Sequence, residues 1–219
     1  MSESAHQRTE HEHTEQRAGG TGHDHASWEE RYRDAPALWS GRVNPTLAAE
    51  TTGLTPGRAL DVGCGEGADV LWLAGQGWRV TGLDWSEVAL SRAAEHAAAA
   101  GVADRVEWVR GDVDTWQPPA AAYDLVTAHF LHTPAEQRGA LVRRLATSVA
   151  AGGTLLWVGH PYDEAAAAAW GADRFAPATE VAADLDPADW EVVVAELRPR
   201  PGEQHGHHSA DEVLRARRR

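Results

Sequence analysis

Three glycines at alternate positions follow a short apolar run that contains an acid. They are Gly63, Gly65 and Gly67, and Asp61 stands two positions before the first of them. Glycine adopts positive φ without a steric cost and lets another molecule contact the backbone. Helical spacing of apolar groups resumes after the loop, so the segment predicts a strand, a bare loop and a helix N-terminus. This arrangement is typical of a site for a nucleotide-like ligand.

The glycine spacing by itself leaves the class of ligand open. Gly63, Gly65 and Ala68 also fit the fingerprint of dinucleotide-binding loops in its alanine-ended form. Asp61 favours a different ligand, because a carboxylate at the end of the strand repels a pyrophosphate and attracts a cation. An NAD-dependent oxidoreductase and a binding protein without turnover therefore stay as alternatives to an enzyme with a cationic cofactor.

Two further acids follow the second and third apolar runs. Asp84 lies 23 residues after Asp61, close to the spacing of about 20 at which a strand-ending carboxylate binds ribose hydroxyls. Its alternative role is to cap the next helix, for which Ser86 is an equally good candidate. Asp112 follows the third run, where an isolated Gly-Asp pair would indicate only a turn.

Histidines follow the later predicted strands, where a general base would be placed. They are His129 and His132 after strand four, His160 after strand five, and His205, His207 and His208 between strands six and seven. Ligands of an open parallel sheet lie outside the carboxyl ends of its strands, so all six are expected on one rim. Imidazole titrates near neutral pH and is a natural general base. We predict His132 as the base, with His129 and His160 as further candidates.

Other roles for these histidines stay open. His129 is also compatible with a satisfied core histidine, and the segment 204–209 with a solvated hairpin loop. Several rim histidines could hold a metal or metalloid together, but no spacing typical of a metal site supports this, and we predict no metal. Cys64 is the single cysteine, which excludes an intramolecular disulfide framework and a multi-cysteine metal site.

Short apolar runs alternate with helical segments, which predicts an α/β fold with a doubly wound, mostly parallel sheet of seven strands. The predicted strands are 59–62, 78–84, 106–110, 123–129, 154–160, 190–197 and 211–217. The predicted helices are 47–54, 68–76, 88–100, 134–149 and 179–185. A turn is predicted at Ala151–Gly153, and the region before strand six is otherwise irregular. The last two strands are joined by a loop too short for a helical crossover, so they must form an antiparallel hairpin.

The segment Arg58–Ala68, which reads RALDVGCGEGA, resembles the first motif of the class I methyltransferases that use S-adenosylmethionine. Tyr123–Val126 and Gly152–Leu156 resemble later motifs of that family, and the resemblance extends from Trp28 to the C-terminus. It implies a Rossmann-like methyltransferase fold, S-adenosylmethionine as the cofactor, and methyl transfer to sulfur, nitrogen, oxygen or a chalcogen of a small molecule. The terminal antiparallel hairpin belongs to that sheet and not to a dinucleotide dehydrogenase.

The resemblance also implies cofactor contacts for individual residues. The carboxylate of Asp112 would accept the adenine amino group, and the backbone N–H of Val113 would reach the ring. Asp84 would bind the ribose, while Cys64 would mainly pack beside the loop. The full set of cofactor-binding residues that we expect is Asp61, Gly63, Cys64, Gly65, Asp84, Trp85, Asp112, Val113 and His129.

The N-terminal part of the chain divides into a tail and a cap. Residues 1–27 are rich in His and Glu and nearly lack large apolar residues, so we predict a disordered tail with solvated histidines. Residues 28–219 form the predicted domain, in which 28–50 concentrates aromatic residues. This cap resembles that of small-molecule methyltransferases of the tellurite-resistance and thiopurine type, where it closes the substrate pocket. A lid and a helix covering the sheet edge are the two interpretations.

The formal net charge of −13 disfavours a nucleic-acid backbone or an anionic membrane as the main partner. No apolar run approaches the length of a membrane span, and the N-terminus lacks the apolar core of a signal peptide. We therefore expect a cytoplasmic protein whose partner is a small-molecule acceptor, with no nucleic acid and no membrane. The identity of the acceptor and the oligomeric state stay open.

Overall fold

Strands and helices alternate in the computed structural model, which describes residues 25–200 and 210–219. The strands are β1 (Arg58–Val62), β2 (Arg79–Asp84), β3 (Val106–Arg110), β4 (Tyr123–His129), β5 (Val149–Gly159), β6 (Trp190–Pro199) and β7 (Ala210–Arg218). The helices are α1 (His25–Asp34), α2 (Pro45–Glu50), α3 (Ala68–Gly75), α4 (Glu87–Ala99), α5 (Ala135–Ser148), α6 (Glu164–Trp170) and α7 (Ala178–Ala182).

The seven strands form one sheet in the order β3-β2-β1-β4-β5-β7-β6. β1 pairs in parallel with β2 and β4, β2 pairs in parallel with β3, and β4 pairs in parallel with β5. β7 pairs antiparallel with both β5 and β6. The structure therefore confirms the doubly wound, mostly parallel sheet and its antiparallel terminal hairpin.

The central strands are buried on both faces because successive side chains enter two different cores. In β5, Leu155 and Trp157 belong to one core, whereas Leu156 and Val158 belong to the other. The apolar sides of α5 and α7 complete the first core, and that of α3 completes the second. Helices on both faces are what a parallel sheet requires.

One prediction about β5 is wrong. The turn expected at Ala151–Gly153 lies inside the strand, which begins before it. The register with β4 shifts at this place, since Tyr123 lies opposite Val149 and Leu125 lies opposite Thr154. The additional residues of β5 bulge at a glycine with a φ of 76°, a conformation that glycine adopts readily.

Helix boundaries differ from the prediction in the cap and in the region before strand six. α1 begins at His25, earlier than the start expected at Trp28, and α2 ends at Glu50, earlier than predicted. α6 occupies a stretch that was expected to be irregular, because Asp163 accepts a hydrogen bond from the Ala166 N–H and caps an alanine run. Residues 1–24, most of the predicted tail, and the histidines at 205, 207 and 208 lie outside the described residues.

The fold gathers the candidate residues at one edge of the sheet. The strands β1 to β5 are parallel, so their carboxyl ends share this edge, and the loops that carry the expected acids and histidines follow them directly.

None of the helices in the described part of the chain combines the length and apolarity needed to cross a membrane.

Candidate functional site

The glycine loop joins β1 to α3 in a conformation that other residues tolerate poorly. Gly63, Gly65 and Gly67 have φ values of 71°, 52° and 85°. A Cβ at Gly63 would lie 2.5 Å from the Leu131 Cδ2, so a larger residue would require the Leu131 side chain to move. The N–H groups of Gly63 and Cys64 donate to the Leu83 carbonyl at 2.8 and 3.0 Å, which fixes the loop against β2.

Asp84 supports the glycine loop from the end of β2. Its Oδ2 accepts a hydrogen bond from the Gly65 N–H at 2.8 Å, and its Oδ1 accepts one from the Ser86 N–H at 2.9 Å. Burial raises the pKa of Asp84, although these N–H donors oppose the rise. The capping role belongs to Ser86, whose Oγ accepts from the Ala89 N–H and begins α4. Asp84 therefore does not cap α4, and its carboxylate is hydrogen-bonded to the glycine loop.

Asp61, Asp69 and His129 form a partly buried cluster between β1, α3 and β4. Asp61 accepts a hydrogen bond from the Thr127 Oγ1 at 2.7 Å, and the Asp69 Oδ2 lies 2.8 Å from the His129 Nδ1. Burial, together with the charge of Asp69, raises the pKa of Asp61 to about 7. Each of the three offers an atom within 4.8 Å of the others, so the cluster could accept a cation, whether organic or metallic.

Trp85 and Asp112 meet a ring from the N-terminal helix. The imidazole of His25 stacks on Trp85 with the ring centroids 4.4 Å apart and the planes 14° from parallel. Its Nε2 lies 3.6 Å from the Asp112 Oδ2. The platform formed by Trp85 and Asp112 therefore accommodates a planar nitrogen heterocycle.

The cap residues cover the glycine loop. The Trp39 Nε1 donates to the Tyr32 Oη at 3.1 Å, and a Cβ at Gly65 would lie 2.9 Å from that oxygen. Glu66 accepts hydrogen bonds from the backbone N–H groups of Leu38 and Trp39, each at 3.1 Å to its Oε2. Burial and the nearby Asp84 raise the pKa of the Tyr32 hydroxyl, which stays protonated.

The histidines after β4 and β5 lie in an aromatic cluster. His132 packs edge-on against Trp170 at 4.2 Å between centroids and lies 5.3 Å from His160. His160 in turn stacks on Phe130 at 4.2 Å. Phe130 has a φ of 53°, which is unusual for a large residue and marks local backbone strain at the strand end.

A small cavity opens beside this aromatic cluster. Its polar lining consists of His132, His160, Arg138 and Arg174, and the described residues that line it include no acid. Arg174 donates to the His132 carbonyl, which ties the segment after α6 to the end of β4. Arg138 is buried, donates to the Asp173 carbonyl at 3.0 Å and pairs with Glu180.

The structure thus brings most of the sequence-predicted residues together in four groups. Gly65 and Asp84 form the first, Trp85 and Asp112 the second, and His132 and His160 the third. Asp61 and His129, together with Asp69, form the fourth. His129 departs from the other two histidines, because its polar contact is with Asp69. Cys64 packs against the second core, and the Val113 carbonyl accepts from Arg144.

Sequence reasoning missed three residues of this site. Asp69 falls in the predicted helix 68–76 and receives no role there, although an acid right after a glycine loop is a signal for a cation site. Glu66 gave no signal, because its partners lie in the cap. His25 was assigned to a solvated tail, whereas it belongs to α1 and contacts Trp85.

A family model described as "Methyltransferase domain" matches residues 59–153. Thiocyanate methyltransferase 1 of Arabidopsis thaliana is 36% identical over 106 residues, which are 47% of this chain and 46% of that protein. The probable thiol methyltransferase 2 of the same plant is 31% identical over 142 residues, 63% of this chain and 62% of that protein. The chain thus spans less than two thirds of the length of either relative.

The fold also has a close counterpart among solved structures. The Burkholderia thailandensis 1,6-didemethyltoxoflavin-N1-methyltransferase, solved with 1,6-didemethyltoxoflavin and S-adenosylhomocysteine, superposes with a TM-score of 0.69. The sequences are 23% identical, and the match covers 88% of this chain and 86% of that one. Sheet order, the match to the methyltransferase domain model over residues 59–153 and this structural neighbour agree on a methyltransferase-type fold. The oxidoreductase alternative finds no support in these relatives.

Proposed function

We propose that this protein transfers a methyl group from S-adenosylmethionine to a small molecule. The observation that carries the proposal is the pair of buried acids, Asp61 and Asp84, on either side of a glycine loop at the carboxyl edge of the sheet. Burying a carboxylate is costly, and a cationic ligand offsets that cost. An anionic pyrophosphate in the same place would add to it.

The described residues fit this cofactor along its length. Asp61 and Asp69 suit its positive end, Asp84 suits ribose hydroxyls, and Trp85 with Asp112 suits the adenine, as the position of the His25 ring illustrates. Gly63, Cys64, Gly65, Val113 and His129 complete the proposed contacts. When bound, S-adenosylmethionine supplies an activated methyl group on a sulfonium.

The acceptor is proposed to bind in the small cavity between His132 and His160. Its basic and aromatic lining, in a protein with a net charge of −13, favours a small anionic or polarisable nucleophile over a cationic one. The relatives named for thiocyanate and thiols support sulfur as the acceptor atom. His132 would orient the acceptor at the rim, and the surrounding rings would exclude water.

The cap is proposed to act as a lid that spans both sites. α1 reaches the adenine platform through His25 and contacts the acceptor side through Trp28, whose ring lies 6.2 Å from that of Trp170. The domain would accordingly run from 28 to 219 with a lid at 28–50, and His25 in α1 extends that lid toward the tail.

Replacing His25 with alanine is expected to raise the affinity for S-adenosylmethionine about two- to tenfold. Stacking between two rings contributes about 0.5–1.5 kcal/mol, and an adenine on Trp85 would have to displace the imidazole first. Calorimetric titration measures the effect. Glu30→Ala, on the exposed side of the same helix, is the matched control and should leave the affinity unchanged. A lower affinity of His25→Ala would show that the ring helps to hold the cofactor and contradict the displacement.

Methyl transfer is tested with purified protein, S-adenosylmethionine and a panel of acceptors: thiocyanate, a small thiol, a phenol and an amine. We expect S-adenosylhomocysteine to accumulate with thiocyanate or the thiol faster than without an acceptor. Parallel calorimetric titrations with S-adenosylhomocysteine and NADH separate the alternatives. Binding of NADH alone would favour an oxidoreductase, and binding of S-adenosylhomocysteine without turnover on any acceptor would favour a binding protein.

A cytoplasmic location and a small-molecule acceptor rather than a nucleic acid also stay part of the proposal. The acidic net charge and the small size of the acceptor-side cavity support the small-molecule acceptor.

A further inference from the structure

A hydrogen-bonded acid and histidine lie where β4 ends and α3 begins. The Nδ1 of His129 is 2.8 Å from the Asp69 Oδ2, and the two side chains are 7% and 16% exposed. The other Asp69 oxygen accepts the Asn44 N–H at 2.7 Å, so the carboxylate is held from the cap as well. A carboxylate fixed in this way sets the imidazole tautomer and its orientation.

We propose that Asp69 and His129 form a general-base dyad for acceptors that carry a proton, with Asp69 as the positioning residue. Since the Nδ1–H of neutral His129 donates a hydrogen bond to Asp69, the Nε2 of this imidazole carries a lone pair. This Nε2 is buried and has no hydrogen-bond partner among the residues that the structure describes. An imidazole with one nitrogen bound to a carboxylate and the other open is the arrangement that activates nucleophiles.

The dyad neighbours Phe130, one of the residues that line the small cavity. The His129 ring lies 6.4 Å from the Phe130 ring, which stacks on His160 beside the small cavity. This inference rests on the proposed methyl transfer and moves the role of base from His132, the residue favoured by sequence, to His129. His132 keeps the position of an acceptor-binding residue.

The charges around His129 suit a base. Burial acts to lower its pKa, but the hydrogen bond and charge of Asp69, with the charges of Asp61 on β1 and Asp211 on β7, raise it overall. In the proton transfer, the acceptor X–H bond breaks, the proton moves to Nε2, and the electron pair stays on X as the nucleophile. The imidazolium then returns its proton to solvent, so the dyad is regenerated.

The first test is a measurement that needs no turnover. Long-range ¹H–¹⁵N spectra of the full-length protein labelled on histidine should show His129 as the Nδ1–H tautomer at high pH. Asp69→Asn should lower the pH at which His129 titrates, because the carboxylate charge is lost. An Nε2–H tautomer, or the same titration in wild type and Asp69→Asn, would overturn the dyad.

The second test compares an acceptor with a proton to one without. His129→Gln should lower kcat for a neutral thiol about 100-fold or more, and at least tenfold more than for thiocyanate, which has no proton to lose. Asp69→Asn should shift the acidic limb of the thiol pH profile, and Asp69→Glu should restore part of the rate. Equal losses with both acceptors would show a structural role and overturn the proposal.

The two proposals fail in different ways. If the wild type binds S-adenosylhomocysteine but methylates no acceptor, the proposed function is overturned, and the tautomer and titration of His129 then decide the dyad by themselves.

Discussion

Asp84→Ala is expected to weaken S-adenosylmethionine binding by about 1–3 kcal/mol, a loss of roughly 5- to 150-fold in affinity. The carboxylate lies at the end of β2, where it would accept hydrogen bonds from two ribose hydroxyls. It also accepts a hydrogen bond from the Gly65 N–H at 2.8 Å. Alanine removes both contributions, because the cofactor loses an acceptor and the loop loses the group that fixes it. Calorimetric titration of the folded variant measures the loss.

A pair of control variants separates the two contributions of Asp84. Asp84→Asn retains an oxygen for the Gly65 N–H but loses the charge, so its affinity should fall between those of alanine and wild type. Glu87→Ala, three positions later and exposed at the start of α4, should bind as wild type does. Unchanged affinity of Asp84→Ala, with native stability confirmed by urea unfolding, would refute the ribose assignment.

The strands and the glycine loop were predictable because their signals are local. Apolar runs of strand length, ended by glycine and acid, need no knowledge of the rest of the chain, and the hairpin of β6 and β7 followed from the short loop between them. Asp84 could be found in the same way, since its distance from Asp61 along the chain reflects one β-α-β unit.

The side-chain contacts within the site, such as those of His129 and His25, could not be predicted, because they join distant parts of the chain. His129 and Asp69 are separated by 60 residues, and no periodicity indicates that their side chains meet. His25 looked like part of a polar tail, and its contact with Trp85 depends on how α1 packs on α4. The bulge in β5 likewise depends on its register with β4.

Asp61→Asn is expected to stabilise the unliganded protein at pH 8 while it weakens cofactor binding. Burial and the neighbouring Asp69 raise the pKa of Asp61 from 3.8 to about 7, so between these pH values the native protein binds a proton that the unfolded chain does not. The free energy of unfolding therefore falls as pH rises through this window, with an upper limit of about 4 kcal/mol for this group. Asparagine carries no charge, so the penalty for burying an ionised group is absent, and we expect a gain of about 1–3 kcal/mol at pH 8.

Urea unfolding of wild type and Asp61→Asn at pH 5 and pH 8 checks this expectation. His129 acts in the same direction, because its raised pKa gives stability that is complete below about pH 6.5 and is lost as pH rises through the folded-state value. The pH dependence should hence shrink in the variant without vanishing, whereas the exposed Asp104→Asn should leave it as in wild type.

Cofactor binding should change in the opposite sense. In the proposed function, the ionised Asp61 would be a countercharge for the sulfonium and ammonium of S-adenosylmethionine. The variant that is more stable alone should therefore bind the cofactor more weakly, and the difference should grow from pH 5 to pH 8 as wild-type Asp61 ionises. A variant that gained stability and kept wild-type affinity at pH 8 would mean that the buried charge of Asp61 serves neither the fold nor the cofactor. Higher stability together with weaker cofactor binding would identify Asp61 as an acid whose burial destabilises the fold but which provides the countercharge for a cationic ligand.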